Sequence, residues 1–129
     1  FQELPQAIDC YRRVLELDPH HLEANYELSI SLAKSGDWDA SIEACKRTVH
    51  IDPRYARAYN QLGLAYYCTE RLADAIDHYR KAIQIDPDYA TAYNNLAYAY
   101  EKHGNVDEAI ATFERYLEMD LDPEEAKDI

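Results

Sequence analysis

Apolar residues recur along the chain at helical spacing, in two stripes per unit. Between positions 59 and 66, and again between 75 and 83, they follow steps of three and four residues, the pattern of a helix with one buried face. Polar breaks separate the stripes at 35–37 and 103–105, where Gly can adopt the left-handed conformation that ends a helix. The middle break at 69–71 has no Gly, so we expect a tighter or slightly strained turn. The pattern predicts antiparallel helix pairs.

The helix pairs repeat with a fixed period. Pro19, Pro53 and Pro87, each preceded by Asp, lie 34 residues apart, and a period of this size is typical of a solenoid. Each Asp-Pro closes the second helix of its pair, because the residue before proline is disfavoured in the α region. Further columns keep the same register: Leu28, Leu62 and Leu96; Ser29, Gly63 and Ala97; Ile8, Ile42, Ile76 and Ile110. The sequence therefore predicts an all-α repeat protein.

The middle unit carries the most complete motif. It reads Tyr59-x-x-Leu62-Gly63-x-x-Tyr66, then Ala75-x-x-x-Tyr79 and Pro87. This resembles the tetratricopeptide repeat (TPR), whose pattern is W-x-x-L-G-x-x-Y, A-x-x-x-F and P. The third unit matches similarly, whereas the first is weaker because Asn25 stands in the aromatic column. The resemblance implies an α-α superhelix, a TPR solenoid of antiparallel helix pairs.

The repeat register divides nearly the whole chain. We predict the second helix of a truncated repeat plus a turn at 1–21, full repeats at 22–55 and 56–89, a repeat with an irregular end at 90–121, and the start of a following helix at 122–129. The end is irregular because Pro123 comes two residues late and Tyr116 replaces a smaller residue. We expect a longer final helix and then a helix packed at a different angle. The absence of an initiator Met favours a piece of a longer protein.

Composition excludes several classes of function. The 25 acids and 13 bases give a net charge of −12, which disfavours nucleic acid and anionic membrane surfaces as partners. No apolar run approaches the roughly 18 residues of a membrane span, so we expect no membrane insertion. Three widely spaced cysteines, Cys10, Cys45 and Cys68, suggest no disulfide framework and favour a reducing, cytoplasmic location.

Catalytic chemistry is not indicated. The chain has no glycine-rich phosphate loop and no nucleophile motif, and the adjacent His20 and His21 have no third ligand at metal-binding spacing. Cys45 occupies the aromatic column of its unit and is interpreted as core. We therefore expect no enzyme activity, no cofactor and no metal. The leading prediction is a protein-interaction scaffold. The alternatives are a regulatory or substrate-recruiting domain of a larger enzyme, and a module that self-associates through its array ends.

The TPR resemblance also implies where a partner binds. In that family the first helix of each pair lines a concave groove that holds a peptide segment or a helix of a partner. The basic residues that clamp chaperone C-termini in one family variant have no counterpart here, because Tyr26, Ile30, Gln61, Thr91 and Asn95 stand at those positions. The predicted groove is near neutral and rich in tyrosine and amides, which suits a peptide with apolar anchors. The candidates are Tyr26, Ile30, Arg57, Asn60, Gln61, Leu64, Tyr67, Asn94, Asn95, Tyr98 and Lys102.

A recurring set of basic pairs lies late on the second helices. Their positions complement the helix dipole there. A basic docking strip on the convex side is a further alternative, against which the acidic surroundings argue. The pairs are Arg12-Arg13, Lys46-Arg47 and Arg80-Lys81.

Overall fold

The computed structural model describes residues 3–119, and over that range the chain is built from helices without strands. Each helix packs against the next one in the chain, and the first helices of the pairs also contact each other, α2 with α4 and α4 with α6. The all-α solenoid of helix pairs is thus confirmed. The helices are α1 (Glu3–Leu17), α2 (Leu22–Lys34), α3 (Trp38–Ile51), α4 (Ala56–Cys68), α5 (Leu72–Ile85), α6 (Ala90–His103) and α7 (Val106–Glu118).

The pairs are α2–α3, α4–α5 and α6–α7, and α1 is a second helix without its first. We call the surface formed by α2, α4 and α6 the inner face. We call the surface formed by α1, α3, α5 and α7 the outer face. The main core is formed by side chains of α3, α4, α5 and α6. A smaller cluster of Leu28, Leu32 and Ala44 packs against side chains of α1. Each pair therefore shares its apolar stripe with neighbours, as a solenoid requires.

The turn within each pair has a residue with positive φ at the same repeat position. Gly36 has φ 85° and Gly104 has φ 92°, and glycine adopts these values without steric cost. The middle turn places Glu70 at φ 65°, the one positive-φ residue other than glycine within 3–119. The middle turn has the same backbone hydrogen-bond pattern as the other two, so it is strained, at Glu70, and not tighter.

Glu70→Gly should raise the free energy of unfolding by about 1 kcal/mol, because a left-handed residue with a Cβ costs about 1–2 kcal/mol. Glu70 Oε1 also accepts a hydrogen bond from Lys102 Nζ at 3.0 Å, an exposed ion pair worth little. Glu70→Gln is the matched control, since it removes the charge and keeps the Cβ. Urea unfolding followed by circular dichroism measures both. A glycine variant no more stable than the glutamine variant would contradict the strain.

The weak motif of the first unit is compensated by hydrogen bonds. Asn25 replaces the aromatic residue and is fully buried. Its Nδ2 donates to the carbonyl oxygens of Pro19 at 3.2 Å and His21 at 3.0 Å, and its Oδ1 accepts from Arg47 Nε at 3.0 Å. One side chain thus joins the inter-repeat turn, α2 and α3, and its polar atoms are satisfied as burial demands.

The prediction of a longer final helix is wrong. The last described helix, α7, has 13 residues, against 14 in α3 and α5, and Met119 has extended backbone with φ −72° and ψ 148°. Arg115 in the last turn puts a positive charge at the negative end of the helix dipole, which stabilises a helix end at this point. The helix predicted at 122–129 lies outside the described residues.

Candidate functional site

The inner face is positioned by close packing of α4 on α5. Gly63 of α4 has no side chain, and a Cβ built there would lie 2.5 Å from the ring of Tyr79 on α5. The two helices can approach this closely only because Gly63 is glycine. The close approach brings the Tyr79 ring under the inner face, although its position in the core column predicts burial alone.

A small depression on the inner face gathers four of the predicted groove residues. It has a volume of about 130 Å³ and is lined by Leu64, Tyr67, Asn95 and Tyr98 together with Tyr79. Tyr98 is 49% exposed, and its ring packs edge-on against Phe113 of α7 at a centroid distance of 5.1 Å. The depression therefore presents exposed aromatic surface between α4 and α6, held in place from α7.

Lys102 lies near one side of this depression. Its Nζ is 4.8 Å from the centroid of the Tyr67 ring and donates to Glu70 Oε1 at 3.0 Å. That hydrogen bond raises the pKa of Lys102. The cation is thus tethered both to the ring of Tyr67 and to the strained turn.

The amide side chains are partly engaged with each other. Asn95 Nδ2 donates to Asn60 Oδ1 at 3.1 Å, which ties α6 to α4 across the repeat boundary. Asn60 and Gln61 are buried, whereas Asn94 and Asn95 are partly exposed. The amide groups of Asn94 and Asn95 are therefore more accessible to a ligand than those of Asn60 and Gln61.

A second cluster surrounds Arg57 at the start of α4. The Arg57 guanidinium carbon lies 5.2 Å from the Tyr26 ring centroid and 5.1 Å from that of Tyr55, and Nη2 donates to the Tyr55 hydroxyl at 2.6 Å. Tyr26 is buried, and burial raises the pKa of its hydroxyl to about 12. Arg57 itself is exposed, so the cluster offers a cation held between two aromatic rings.

Sequence reasoning missed three tyrosines at these clusters. Tyr79 lines the depression, and Tyr55 contacts Arg57. Burial raises the pKa of Tyr89, and the neighbouring Arg57 and Asn60 partly offset that rise. Tyr55 and Tyr89 directly precede first helices one period apart, and this recurrence is the signal that could have found them. Ile30 is partly buried on α2 and does not line the depression.

The other candidate chemistry has structural roles where the chain is described. His21 Nδ1 accepts from the backbone N–H of Ala24 at 3.1 Å and so caps α2. Cys45 is buried in the core, which raises its thiol pKa to about 11. Residues 3–119 contain no group of three or more His, Cys, Asp or Glu side chains placed to hold a metal ion. None of the helices in this range is long and apolar enough to span a bilayer.

Comparisons with known proteins agree on the family. A TPR repeat model matches residues 69–104, and two tetratricopeptide repeat models match 2–56 and 90–123. No curated protein matches the chain significantly.

Solved structures of MamA proteins share the fold. A crystal structure of MamA is 32% identical with a TM-score of 0.86, over 90% of this chain and 68% of that one. A second MamA crystal structure is also 32% identical, with a TM-score of 0.85, over 93% of this chain and 70% of that one. MamA 41-end from Desulfovibrio magneticus RS-1 is 27% identical with a TM-score of 0.86, over 92% and 67% respectively. The chain belongs to the tetratricopeptide repeat family.

Proposed function

We propose that the chain is a non-catalytic protein-interaction scaffold whose inner face, the concave groove, binds a peptide segment or a helix of a partner protein. The observation that carries the proposal is the aromatic depression formed by Leu64, Tyr67, Asn95 and Tyr98 over Tyr79. Membership of the tetratricopeptide repeat family and the fold shared with MamA support a scaffold role.

The depression suits an apolar anchor side chain of the partner. Tyr67 and Tyr98 supply rigid ring surface, and burial of one large apolar side chain contributes about 1.5–3 kcal/mol. Asn94 and Asn95 offer amides beside it, each with a donor and an acceptor for a peptide backbone. The site therefore combines one apolar contact with backbone hydrogen bonds, as in grooves that bind extended peptides or helices.

The second cluster lies farther along the same face. Arg57 and Leu64 are seven residues apart on α4, which is about 10 Å along a helix axis. An extended peptide covers that distance in about three residues. A partner segment can thus contact Arg57 and Ile30 at one end and Tyr98 and Lys102 at the other, above the buried Tyr26, Asn60 and Gln61.

We also propose that the protein works in a reducing compartment such as the cytoplasm. Its three cysteines are free thiols, and Cys10 and Cys68 are exposed. Exposed thiols persist in a reduced state where glutathione and thioredoxin act.

Replacing Tyr67 and Tyr98 together by Ala should weaken peptide binding at least tenfold, because aromatic residues at the centre of a site contribute most of its affinity. Peptides are selected on the full chain from a displayed library of random 12-residue sequences. The affinity of an enriched peptide is then measured by fluorescence anisotropy.

Leu17→Ala is the control, since Leu17 is 90% exposed and lies on α1, which is not one of the helices that form the inner face. Circular dichroism checks that all variants remain helical. An enriched peptide that binds the double variant and the wild type equally would reject the groove as the binding site.

A further inference from the structure

The outer face carries two grooves at equivalent places, two repeat periods apart. One lies between α1, α2 and α3 and has a volume of about 610 Å³. The other lies between α5, α6 and α7 and has a volume of about 330 Å³. Each is flanked by two arginines in matching columns, Arg12 and Arg47 in the first, Arg80 and Arg115 in the second. These arginines include members of the recurring basic pairs of the sequence.

One position on the second helices carries side chains of different size in the three units. In the middle unit the His78 ring lies 6.4 Å from the Tyr59 ring centroid and 5.0 Å from that of Tyr66, so aromatic side chains fill the space. The equivalent residues are Ala44 in the first unit and Thr112 in the third. These smaller side chains leave the two outer grooves open.

The two open grooves differ in charge. Glu16 and Glu43 line the groove at α1–α3 and balance its two arginines. The matching positions in the groove at α5–α7 are Gln84 and Ala111, so Arg80 and Arg115 are the charged residues that line it. This groove is therefore doubly positive in a chain whose net charge is −12.

The arginines of this groove are available to a ligand. Both are exposed, and neither forms an ion pair with a carboxylate of residues 3–119. The guanidinium carbon of Arg115 lies 5.6 Å from the centroid of the Tyr93 ring, which orients it over the groove. Asp88 and Glu118 lie beside Arg115 in an adjoining depression, outside the groove itself.

We propose that the groove between α5, α6 and α7 docks an acidic segment of a partner protein that also carries an apolar side chain. Carboxylates of the segment bind Arg80 and Arg115, whose planar guanidinium groups match a carboxylate with two hydrogen bonds. The apolar side chain packs on the groove floor of Ile83, Leu96 and Tyr100. Charge complementarity selects this partner, because a basic or neutral segment leaves both arginines unpaired. The site is separate from the inner face.

The test uses a fluorescein-labelled peptide, Gly-Ser-Glu-Leu-Glu-Leu-Gly-Ser, and a twin with Gln in place of each Glu, measured by anisotropy on the full chain. The acidic peptide should bind at least tenfold more tightly than its twin. Arg80→Gln and Arg115→Gln should each weaken it about tenfold. Arg12→Gln, the equivalent change in the other groove, should have no effect. The Tyr67→Ala, Tyr98→Ala double variant should also bind normally, which separates this site from the proposed inner-face site.

A gain-of-function variant tests the charge argument directly. The double variant Glu16→Gln, Glu43→Ala leaves Arg12 and Arg47 as the charged residues of the groove at α1–α3, so its charge equals that of the groove at α5–α7. This variant should bind two peptides per chain, whereas the wild type binds one. Equal binding of both peptides, or unchanged binding to Arg80→Gln and Arg115→Gln, would overturn the proposal. So would binding that emerges only after Asp122→Asn, Glu124→Gln and Glu125→Gln, since the chain's own acidic segment is then the occupant.

Discussion

Ile76→Ala should lower the free energy of unfolding by about 2–4 kcal/mol, the usual cost of truncating a buried isoleucine. Ile76 of α5 is 8% exposed, because it packs in the core with Leu96 and Ala99 of α6. Ile110→Ala, at the same place in the next unit, should cost about 1 kcal/mol or less. Ile110 is 52% exposed, because no following first helix covers α7 within the described residues.

Urea unfolding followed by circular dichroism measures both variants, and the shift of the midpoint serves as the readout because repeat arrays can depart from two-state behaviour. Ile42→Ala is a second buried control, since Ile42 is 4% exposed beneath α4. Equal losses for Ile76→Ala and Ile110→Ala would show that something covers α7 in solution, and would contradict the exposed face.

The fold was predictable because local signals fix it. Each Asp-Pro pair stops a second helix whatever the rest of the chain does, and Gly36 and Gly104 supply the positive φ of two turns. The absence of glycine from the middle turn predicts a tighter or strained turn, and the structure places the strain at Glu70. The end of α7 at Glu118 is not predictable in this way, because no proline directly follows it and the charge of Arg115 in the last turn is only a weak signal.

The candidate site was only partly predictable. A repeat column predicts only that a position is usually buried, and it predicts no more than that for Tyr79. Whether the buried ring of Tyr79 also lines an open depression depends on the size of the neighbouring residues, here Gly63, Leu64 and Tyr98. The opening of the outer grooves likewise depends on Ala44, His78 and Thr112, whose effect requires distances between helices that the sequence does not contain.

The pairing of Gly63 with Tyr79 gives the largest expected effects on stability. Tyr79 is 1% exposed, so Tyr79→Cys should cost about 3 kcal/mol or more through the cavity it leaves. Gly63→Ala should cost about 1–3 kcal/mol although alanine favours helices by about 1 kcal/mol over glycine, because the new methyl group overlaps the Tyr79 ring. Both values come from urea unfolding of the single variants.

The double variant tests whether the two residues are matched in size. In the first unit the equivalent residues are Ser29 and Cys45, and both are fully buried. Ser29 is larger than Gly63, and Cys45 is smaller than Tyr79. Gly63→Ala with Tyr79→Cys reproduces this arrangement and should cost less than the sum of the single changes, by about 1–3 kcal/mol. Strict additivity would mean that α4 moves away from Tyr79 at little cost, and close packing would then not be what holds the ring beneath the inner face.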